Sequence, residues 1–458
     1  MSTDASRADI LKPLRRTTRS YYLLLAAVVV AIVIFLVAYG FQLQRGMVVT
    51  GLGDWGSGGG VTWGLYIGAF IWWVGIAHGG IILSAAVRLF GMKRYRPVAR
   101  MAELLTIFAL TAAGIYIVLH VGRPDRIVVS VLLNYPETVL SSPLVWDVTV
   151  ITLYFVLTAT YLGLTLRSDI MQLRSELPDR FEPLYRIITV GYTEAEDEIV
   201  ERMVWWLAVG LIVLAPLLLH GGVIPWLFAL VPSMPGWFGA VQGPQFLTIA
   251  LTSAIGGVIV ITYVFRKVYD WGHILTDDVV RGLTLWLGLF GVLFTWLQLQ
   301  QVITGVFSAP LDLSQVTYAM LTHSAYIYAL GVMVLVLAYI FAQAIEPSNF
   351  TLERSVIASV AVLSATLAEK VLFVVEGMMY PSFDLYAAAP GEYFPSLIEL
   401  ASVLGTIGIV TLLFMLVIKV IPVIELHAIE DPHTPMTDGG HDPDRRRNED
   451  ETDTGVSP

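Results

Sequence analysis

The sequence predicts an all-α polytopic membrane protein with about ten transmembrane helices. The chain of 458 residues is 56% hydrophobic and only 14% charged, and its mean hydropathy is +0.72. Apolar runs of 20 or more residues recur along it, and about 20 such residues suffice for a helix to cross the hydrocarbon core. These observations exclude the set of soluble domains that the length alone would allow.

The distribution of basic residues predicts how the helices cross the bilayer. The predicted spans are residues 21–40, 63–90, 100–121, 143–166, 203–228, 245–267, 280–307, 317–343, 353–379 and 396–421. Of the 27 Lys and Arg residues, 23 then fall on the side of the N-terminus, three lie in loops on the other side, and Lys370 lies in the ninth span. Because cytoplasmic loops are enriched in Lys and Arg, both termini are predicted to be cytoplasmic, in the cell membrane of a prokaryote.

Three segments follow from this arrangement. Residues 1–20 form a cytoplasmic N-terminal segment, residues 21–427 form the transmembrane domain, and residues 428–458 form an acidic tail that is predicted to be disordered. The tripeptide His-Gly-Gly occurs at 78–80 and again at 220–222. This repeat favours two four-helix bundles, spans 2–5 and 6–9, with flanking helices, although two tripeptides also arise by chance.

The composition also excludes several kinds of cofactor site. The chain has no cysteine, so it has no disulfide and no iron–sulfur cluster of its own. No phosphate-binding loop, dinucleotide fingerprint or zinc spacing occurs, so neither a metal site nor a nucleic-acid partner is expected. Two of His120, His220 and His323 could hold one haem near the outer face, the side opposite the N-terminus. Haem binding by two of these histidines remains an alternative but is not favoured.

One histidine and one carboxylate stand out at adjacent helix ends. His120 ends the third predicted span, and Asp147 opens the fourth. Buried ionisable groups at membrane depth are functional candidates by default, so this pair could hold a quinone ring or take the protons of a quinol. A His–Asp salt bridge that fixes the loop is an equally weighted alternative. Arg123 and Trp146 flank the pair as candidate supporting residues, and Arg123 is more simply explained as part of the turn.

Other polar residues inside the spans could form a proton path. The candidates are His78, Glu103 and Glu369. Lys370 follows Glu369, so a buried ion pair between helices explains span 9 at least as well as proton transfer does. The outer loops are rich in Gly, Pro, Trp and Tyr. They are either ordinary interfacial loops or a docking platform for an extracytoplasmic partner, which their length favours.

Several motifs together resemble one family of membrane proteins. The matching stretches are TWGLYIGAFIWWVGIAHGG (62–80), RMAELLTIFAL (100–110), HVGRPDR (120–126), SSPLVWD (141–147), GEYFPSLIEL (391–400) and IKVIPVIEL (418–426). They are similar to the NrfD/PsrC family, the membrane subunits of quinone-linked oxidoreductases, and most of all to the branch found in alternative complex III. The likeness covers all ten spans and leaves out the acidic tail.

The resemblance implies a quinone-binding subunit that is not catalytic alone. It implies two four-helix bundles, a menaquinone or ubiquinone site at the outer face built on His120 and Asp147, and no haem in this chain. It also implies an iron–sulfur partner subunit on the outer face, in a complex with a molybdopterin-type or cytochrome subunit. His78 and Glu103 match polar positions of the first bundle. The second bundle departs from the pattern of the family, because Gln298 and Gln301 occupy positions where related chains tend to have a carboxylate.

The function expected from the sequence is therefore electron exchange between the quinone pool and an extracytoplasmic iron–sulfur partner in a respiratory oxidoreductase, with proton transfer. Two rivals come from other classes. One is a secondary transporter or proton channel that works alone, and the other is a membrane anchor subunit that carries haem.

Overall fold

A computed structural model describes residues 3–53, 61–193, 197–214, 224–237, 239, 241–307, 311–382, 393–426 and 428, and these contain helices and no strand. The helices are α1 (Thr3–Ile10), α2 (Lys12–Arg15), α3 (Arg19–Arg45), α4 (Leu65–Leu89), α5 (Arg96–Val121), α6 (Pro124–Ile127), α7 (Tyr135–Thr138), α8 (Pro143–Gln172), α9 (Glu182–Ile188), α10 (Asp197–Leu214), α11 (Ile224–Ala229), α12 (Gln242–Tyr269), α13 (Asp277–Phe307), α14 (Leu311–Thr322), α15 (Ser324–Ile345), α16 (Leu352–Met379) and α17 (Leu397–Val417).

Within the described residues, nine helices are long and apolar enough to cross a membrane, namely α3, α4, α5, α8, α12, α13, α15, α16 and α17. The prediction of an all-α polytopic membrane protein is confirmed. The fifth predicted span coincides with α10 and α11, and residues 215–223 between them lie outside the described part.

The eighth span begins later than predicted. His323 has an extended backbone and separates α14 from α15, and its side chain accepts a hydrogen bond from the backbone N–H of Ala325. It therefore acts as the N-cap of α15, a role that ends the preceding helix. The predicted start at residue 317 was wrong because hydropathy does not mark a break in the backbone, and residues just before the break, such as Met320 and Leu321, are apolar as well.

The helices pack as two closed sets of four. In the first set α4, α5, α8 and α10 pack around one another in that order, and in the second α12, α13, α15 and α16 do the same. Helix α4 joins the sets, since it packs on both α12 and α16, while α3 and α17 form a separate flanking pair. Accordingly α4 is almost wholly buried and α3 is mostly exposed.

Two glycines allow this central contact. A Cβ atom on Gly68 would lie 2.7 Å from the Cα of Val371 in α16, and one on Gly79 would overlap the carbonyl of Ala250 in α12. Small residues let helix backbones approach closely where hydrocarbon surroundings provide little hydrophobic drive for helix association. The glycines of α4 therefore bring the two bundles into backbone contact.

The segments predicted to lie on one side of the membrane do meet on one side. We call this side the basic face. Its contacts join segments far apart in sequence: Asp9 with His273, Arg15 with Glu176, Arg94 with Asp278, and Lys419 with the carbonyl of Pro13. On the opposite face, Glu399 accepts hydrogen bonds from the N–H of Gly51 at 2.6 Å and from the hydroxyl of Tyr393 at 2.8 Å.

Some features named from the sequence lie outside the described residues. They are His220, most of the acidic tail, and parts of the loops at 54–60 and 383–392.

Candidate functional site

The site of interest forms where α5 ends and α8 begins on the opposite face. Gly122 follows α5 in a left-handed conformation (φ 68°), which ends the helix and turns the chain sharply. The last carbonyls of a helix have no partner within it, and the side-chain amide of Gln42 in α3 donates to that of Leu119 at 3.1 Å. The end of α5 that carries His120 is thus fixed from a neighbouring helix.

His120 is partly buried, and its Nδ1 atom makes no hydrogen bond with the described protein. Its ring meets the edge of Trp63 at a centroid distance of 6.2 Å. A buried polar atom without a partner costs free energy, so Nδ1 is available to a hydrogen-bond partner outside the described residues.

Asp147 lies in the second turn of α8, which Ser142 precedes in an extended conformation and Pro143 opens. Its Oδ1 atom is buried and accepts no hydrogen bond from the described residues. His120 Nδ1 and Asp147 Oδ1 do not bond to each other in the described structure, so these two atoms do not form the salt bridge that was the alternative interpretation.

The two groups have the chemistry that a quinone-type ring requires. Such a ring carries an oxygen at each end, which accepts hydrogen bonds when oxidised and donates them when reduced. Imidazole can donate or accept, and a carboxyl group can do the same according to its protonation state. The unpartnered atoms on His120 and Asp147 can therefore each exchange a hydrogen bond with an oxygen atom of a ligand.

The two supporting candidates differ in their surroundings. Arg123 donates to both carboxylate oxygens of Asp125, at 2.9 and 2.8 Å, and both side chains are exposed. Asp125 raises the pKa of Arg123 through a hydrogen bond and its charge. Trp146 is 38% exposed on α8. Arg123 is thus engaged in its own turn, whereas Trp146 is open to a ligand or a partner.

An aromatic cluster beside His120 was missed in the sequence. The Trp63 ring stacks on Trp237 at 5.2 Å with an interplanar angle of 12°, and Phe228 meets both rings edge-on. Trp237 Nε1 donates to the carbonyl of Val374 in α16 at 3.1 Å. The only signal in the sequence was the abundance of Trp in Gly- and Pro-rich segments, which cannot show which residues pair. The cluster connects His120 to the second bundle.

His78 lies away from this site, deep in the first bundle. It is fully buried, its Nδ1 lies 2.6 Å from the carbonyl of Val74, and its ring is 4.5 Å from that of Tyr154.

Glu103 belongs to a buried cluster at the basic face. It accepts a hydrogen bond from Ser84 at 2.6 Å, and its Oε2 atom has no hydrogen-bond partner in the described chain. The neighbouring ion pairs are Arg88 with Glu425 at 3.0 Å and Arg100 with Asp169 at 2.6 Å. Glu425 lies in the segment after α17, so this cluster ties the C-terminal segment to the first bundle.

Glu369 is engaged within the second bundle. Lys370 Nζ lies 3.2 Å from Glu369 Oε2, and Gln298 donates to Glu369 Oε1 at 3.1 Å. Lys370 also lies 3.4 Å from the ring centroid of Phe246, a cation–π contact. The ninth predicted span was interpreted either as part of a proton path or as the site of a buried ion pair. These contacts match the buried ion pair.

His323, a candidate haem ligand, also has protein partners on both ring nitrogens. Nδ1 accepts from the N–H of Ala325 at 3.1 Å, and Nε2 lies 3.6 Å from Glu376. Among the described residues no group of three or more His, Asp or Glu side chains is arranged to hold a metal ion.

Comparison with known proteins gives three relatives. A putative dimethyl sulfoxide reductase membrane subunit of Halobacterium salinarum is 34% identical over 231 residues, which are 50% of this chain and 48% of the relative. A selenate reductase subunit of Mesobacillus selenatarsenatis is 23% identical over 88% of this chain and 95% of its own length. The Hdr-like menaquinol oxidoreductase integral membrane subunit of Archaeoglobus fulgidus is 23% identical over 87% and 95%.

The family described as "Polysulphide reductase, NrfD" matches residues 55–382, which include both four-helix sets and the site at the ends of α5 and α8. The match covers well over half of the chain and agrees with the family suggested by the sequence motifs. The chain is therefore a multi-pass integral membrane protein that belongs to the NrfD family.

Proposed function

We propose that this chain is the quinol-binding membrane subunit of a respiratory oxidoreductase complex, with its ring site between His120 and Asp147. The names of the relatives support the class, since two are subunits of reductases and one is an integral membrane subunit of a menaquinol oxidoreductase. The observation that carries the proposal is the pair of buried atoms, His120 Nδ1 and Asp147 Oδ1, that have no partner in the described protein.

A bound quinol supplies two electrons and two protons when it is oxidised. Asp147 as a carboxylate accepts one hydroxyl proton at Oδ1. His120 in the tautomer protonated on Nε2 presents Nδ1 as the second acceptor. The stacked rings of Trp63 and Trp237 lie beside His120 on the side of the second bundle, where they shield its hydrogen bond from water and strengthen it.

The proposal requires a partner for the electrons. The chain has no cysteine, so iron–sulfur clusters that exchange electrons with the quinone belong to another subunit. We place this subunit on the face that carries the site. Leu132, Leu133 and Leu140 lie in the segment between α5 and α8 and are strongly exposed, and exposed apolar residues can provide contact surface for a partner.

The test is quinol binding by the assembled complex. Replacing His120 with Gln removes the imidazole but keeps a polar side chain of similar length. We expect the KM for a short-chain menaquinol analogue to rise about tenfold, the effect of losing one hydrogen bond of about 1.4 kcal/mol. Asp125→Asn on the same face is the control and should leave the KM unchanged.

The rival functions give different results in the same preparation. A haem-bearing anchor would show a haem absorbance spectrum that depends on His120. A transporter that works alone would purify without redox subunits, and its transport would not respond to quinol. Unchanged quinol kinetics in the His120→Gln complex would overturn the proposed site.

A further inference from the structure

A large apolar cleft lies between the flanking helices and the two bundles. It has a volume of about 520 Å³ and lies between the pair α3 and α17 on one side and the pair α12 and α16 on the other. Trp72 and Trp73 of α4 form its floor. No Asp, Glu, Lys, Arg or His side chain lines it within the described residues. The volume falls in the range of about 300–1,000 Å³ that ligand sites typically have.

Two of the hydroxyl groups at the cleft wall already have hydrogen-bond partners within the protein. The hydroxyl of Tyr21 donates to the carbonyl of Met415 at 2.9 Å, and that of Thr411 donates to the carbonyl of Ile407 at 2.8 Å. Apolar cavities stay free of water, and a void forfeits the dispersion contacts of its walls. The cleft therefore suits an apolar occupant.

The cleft opens sideways, toward the hydrocarbon region. Val264, Val360 and Ile407 line it and are 40%, 52% and 44% exposed. On α17 the lining runs from Val403 to Ile418, about 22 Å along the helix axis at 1.5 Å per residue. One leaflet of the hydrocarbon core is about 15 Å thick, so the cleft is long enough for an extended hydrocarbon chain that enters from one face.

One end of the cleft lies at the basic face. Ser20 and Tyr21 line this end, and the adjacent Arg19 and nearby Arg16 have exposed side chains with no ion pair in the described chain. Lys419 also lies there, with its Nζ 4.8 Å from the ring centroid of Tyr21. Arginine guanidinium groups form strong, charge-assisted hydrogen bonds with phosphate.

We propose that this cleft binds one acyl chain of an anionic phospholipid, whose phosphate lies between Arg16 and Arg19. The apolar wall recognises the chain, and the two arginines recognise the charge of the headgroup, as basic groups beside membrane helices do for anionic lipids. The site is independent of the quinol site, which lies on the opposite face. The lipid would fasten the α3–α17 pair to the bundles.

Two other occupants fit less well. A transmembrane helix from a second copy would suit the apolar wall, but it carries no phosphate to match the two arginines. The isoprenoid tail of a quinone would fit the wall, but it has no charge to match the two arginines.

The experiment is native mass spectrometry of the detergent-purified complex with three probes. These are phosphatidylglycerol, phosphatidylcholine with the same acyl chains, and menaquinone. We expect phosphatidylglycerol to be retained in preference to the other two. Arg16→Gln with Arg19→Gln should lower its retention by about fivefold per arginine, and Arg354→Gln, at the same face but away from the cleft, should not.

A second pair of variants tests the wall. Ile407→Trp fills the cleft and should abolish lipid retention. Leu404→Trp, one turn away on α17 and 47% exposed but outside the lining, should not. The proposal would be overturned if phosphatidylcholine were retained as well as phosphatidylglycerol, or if menaquinone were retained in preference to both. It would also be overturned if the Ile407→Trp variant still retained lipid, or if the complex showed a doubled mass that Ile407→Trp abolishes. The arginine variants are on the surface, so they keep the test valid if the tryptophan variant fails to fold.

Discussion

The His120–Asp147 site of the first bundle and the Glu369–Lys370 site of the second bundle treat their buried ionisable groups in opposite ways. In the second bundle the charge of Glu369 is compensated within the protein by Lys370 at 3.2 Å and by Gln298 at 3.1 Å. At the first site His120 Nδ1 and Asp147 Oδ1 have neither a hydrogen bond nor an ion pair in the described chain, whereas Glu369 Oε2, which also lacks a hydrogen bond, has the ion pair with Lys370. Leaving a buried charge without a partner is costly, so Glu369 keeps its partner within the protein, whereas the atoms of His120 and Asp147 remain available to a partner outside the described residues.

The contrast teaches where to look for function in a membrane protein of this kind. Both regions would be marked as candidates from the sequence, because each has ionisable residues at membrane depth. Only the contacts separate them. The Trp63–Trp237 stack lies between the two regions, with Trp237 bonded to Val374 of the second bundle, so disturbance of one bundle can reach the other by packing.

The largest effect is expected from Asp147→Asn. The amide has the same shape but cannot take a proton, so the rate of quinol oxidation should fall at least about 100-fold, the lower end of the range for lost general-base catalysis. The measurement is kcat of the assembled complex with a short-chain menaquinol analogue at pH 7. Asp125→Asn, an exposed carboxylate in the same loop region, should keep the wild-type rate. A wild-type rate in the Asp147→Asn complex would show that Asp147 does not accept the proton. The unpaired site of the first bundle would then have no more claim to function than the paired site of the second.

The next effect concerns stability. Lys370→Met leaves Glu369 buried without a cation, which should cost about 3–5 kcal/mol of unfolding free energy. Combining it with Glu369→Gln removes the charge and should recover most of the loss, because the amide can still bond to Gln298. Thermal unfolding in detergent measures both variants.

The same double variant sharpens the comparison through activity. A second bundle that serves only stability predicts normal quinol oxidation in Lys370→Met with Glu369→Gln. A well-folded double variant with little activity would instead show that Glu369 belongs to a proton path.

Much of the fold was predictable, because hydropathy and basic residues are local signals. Nine of the predicted spans appear as described helices, and the segments predicted to share a face do meet. His120 and Asp147 were predictable as candidates, since each marks a helix end. The break at His323 was not, because the distinction between a helical turn and an N-cap depends on the backbone rather than on hydropathy.

Contacts between side chains far apart in the sequence could not be predicted from the sequence. Arg88 and Arg100 counted only as cytoplasmic charges, yet the structure buries them against Glu425 and Asp169. A charge pattern shows which side of the membrane a residue occupies and not which residue it contacts. The Trp63–Trp237 stack was missed for the same reason.

A smaller effect is expected where the bundles meet. Gly377 lies under the Trp237 ring, and a Cβ atom there would overlap that ring. Gly377→Ala should therefore cost about 1–3 kcal/mol, as overpacking typically does, and raise the KM for quinol slightly because Trp237 supports Trp63 beside His120. Gly331→Ala in α15 meets open space and is the matched control. Unchanged stability and KM in Gly377→Ala would mean that the stack does not position the site.

The smallest effect lies far from both bundles' chemistry, at the basic face. Partial burial acts to raise the pKa of Asp9, but hydrogen bonds and charges from Lys12 and His273 outweigh it and hold this pKa below its usual value of 3.8. A lowered folded-state pKa contributes stability that is present above about pH 4 and is lost as the pH falls through the folded-state value. Asp9→Asn should thus lower the unfolding free energy by less than about 1 kcal/mol at pH 6, and the gap to the wild type should narrow as the pH falls from 5 to 3. Thermal unfolding over that range measures it, and quinol oxidation should stay unchanged, because Asp9 lies on the face away from the proposed ring site. A gap that widens with acidity would contradict the assignment of Asp9 as the charged partner.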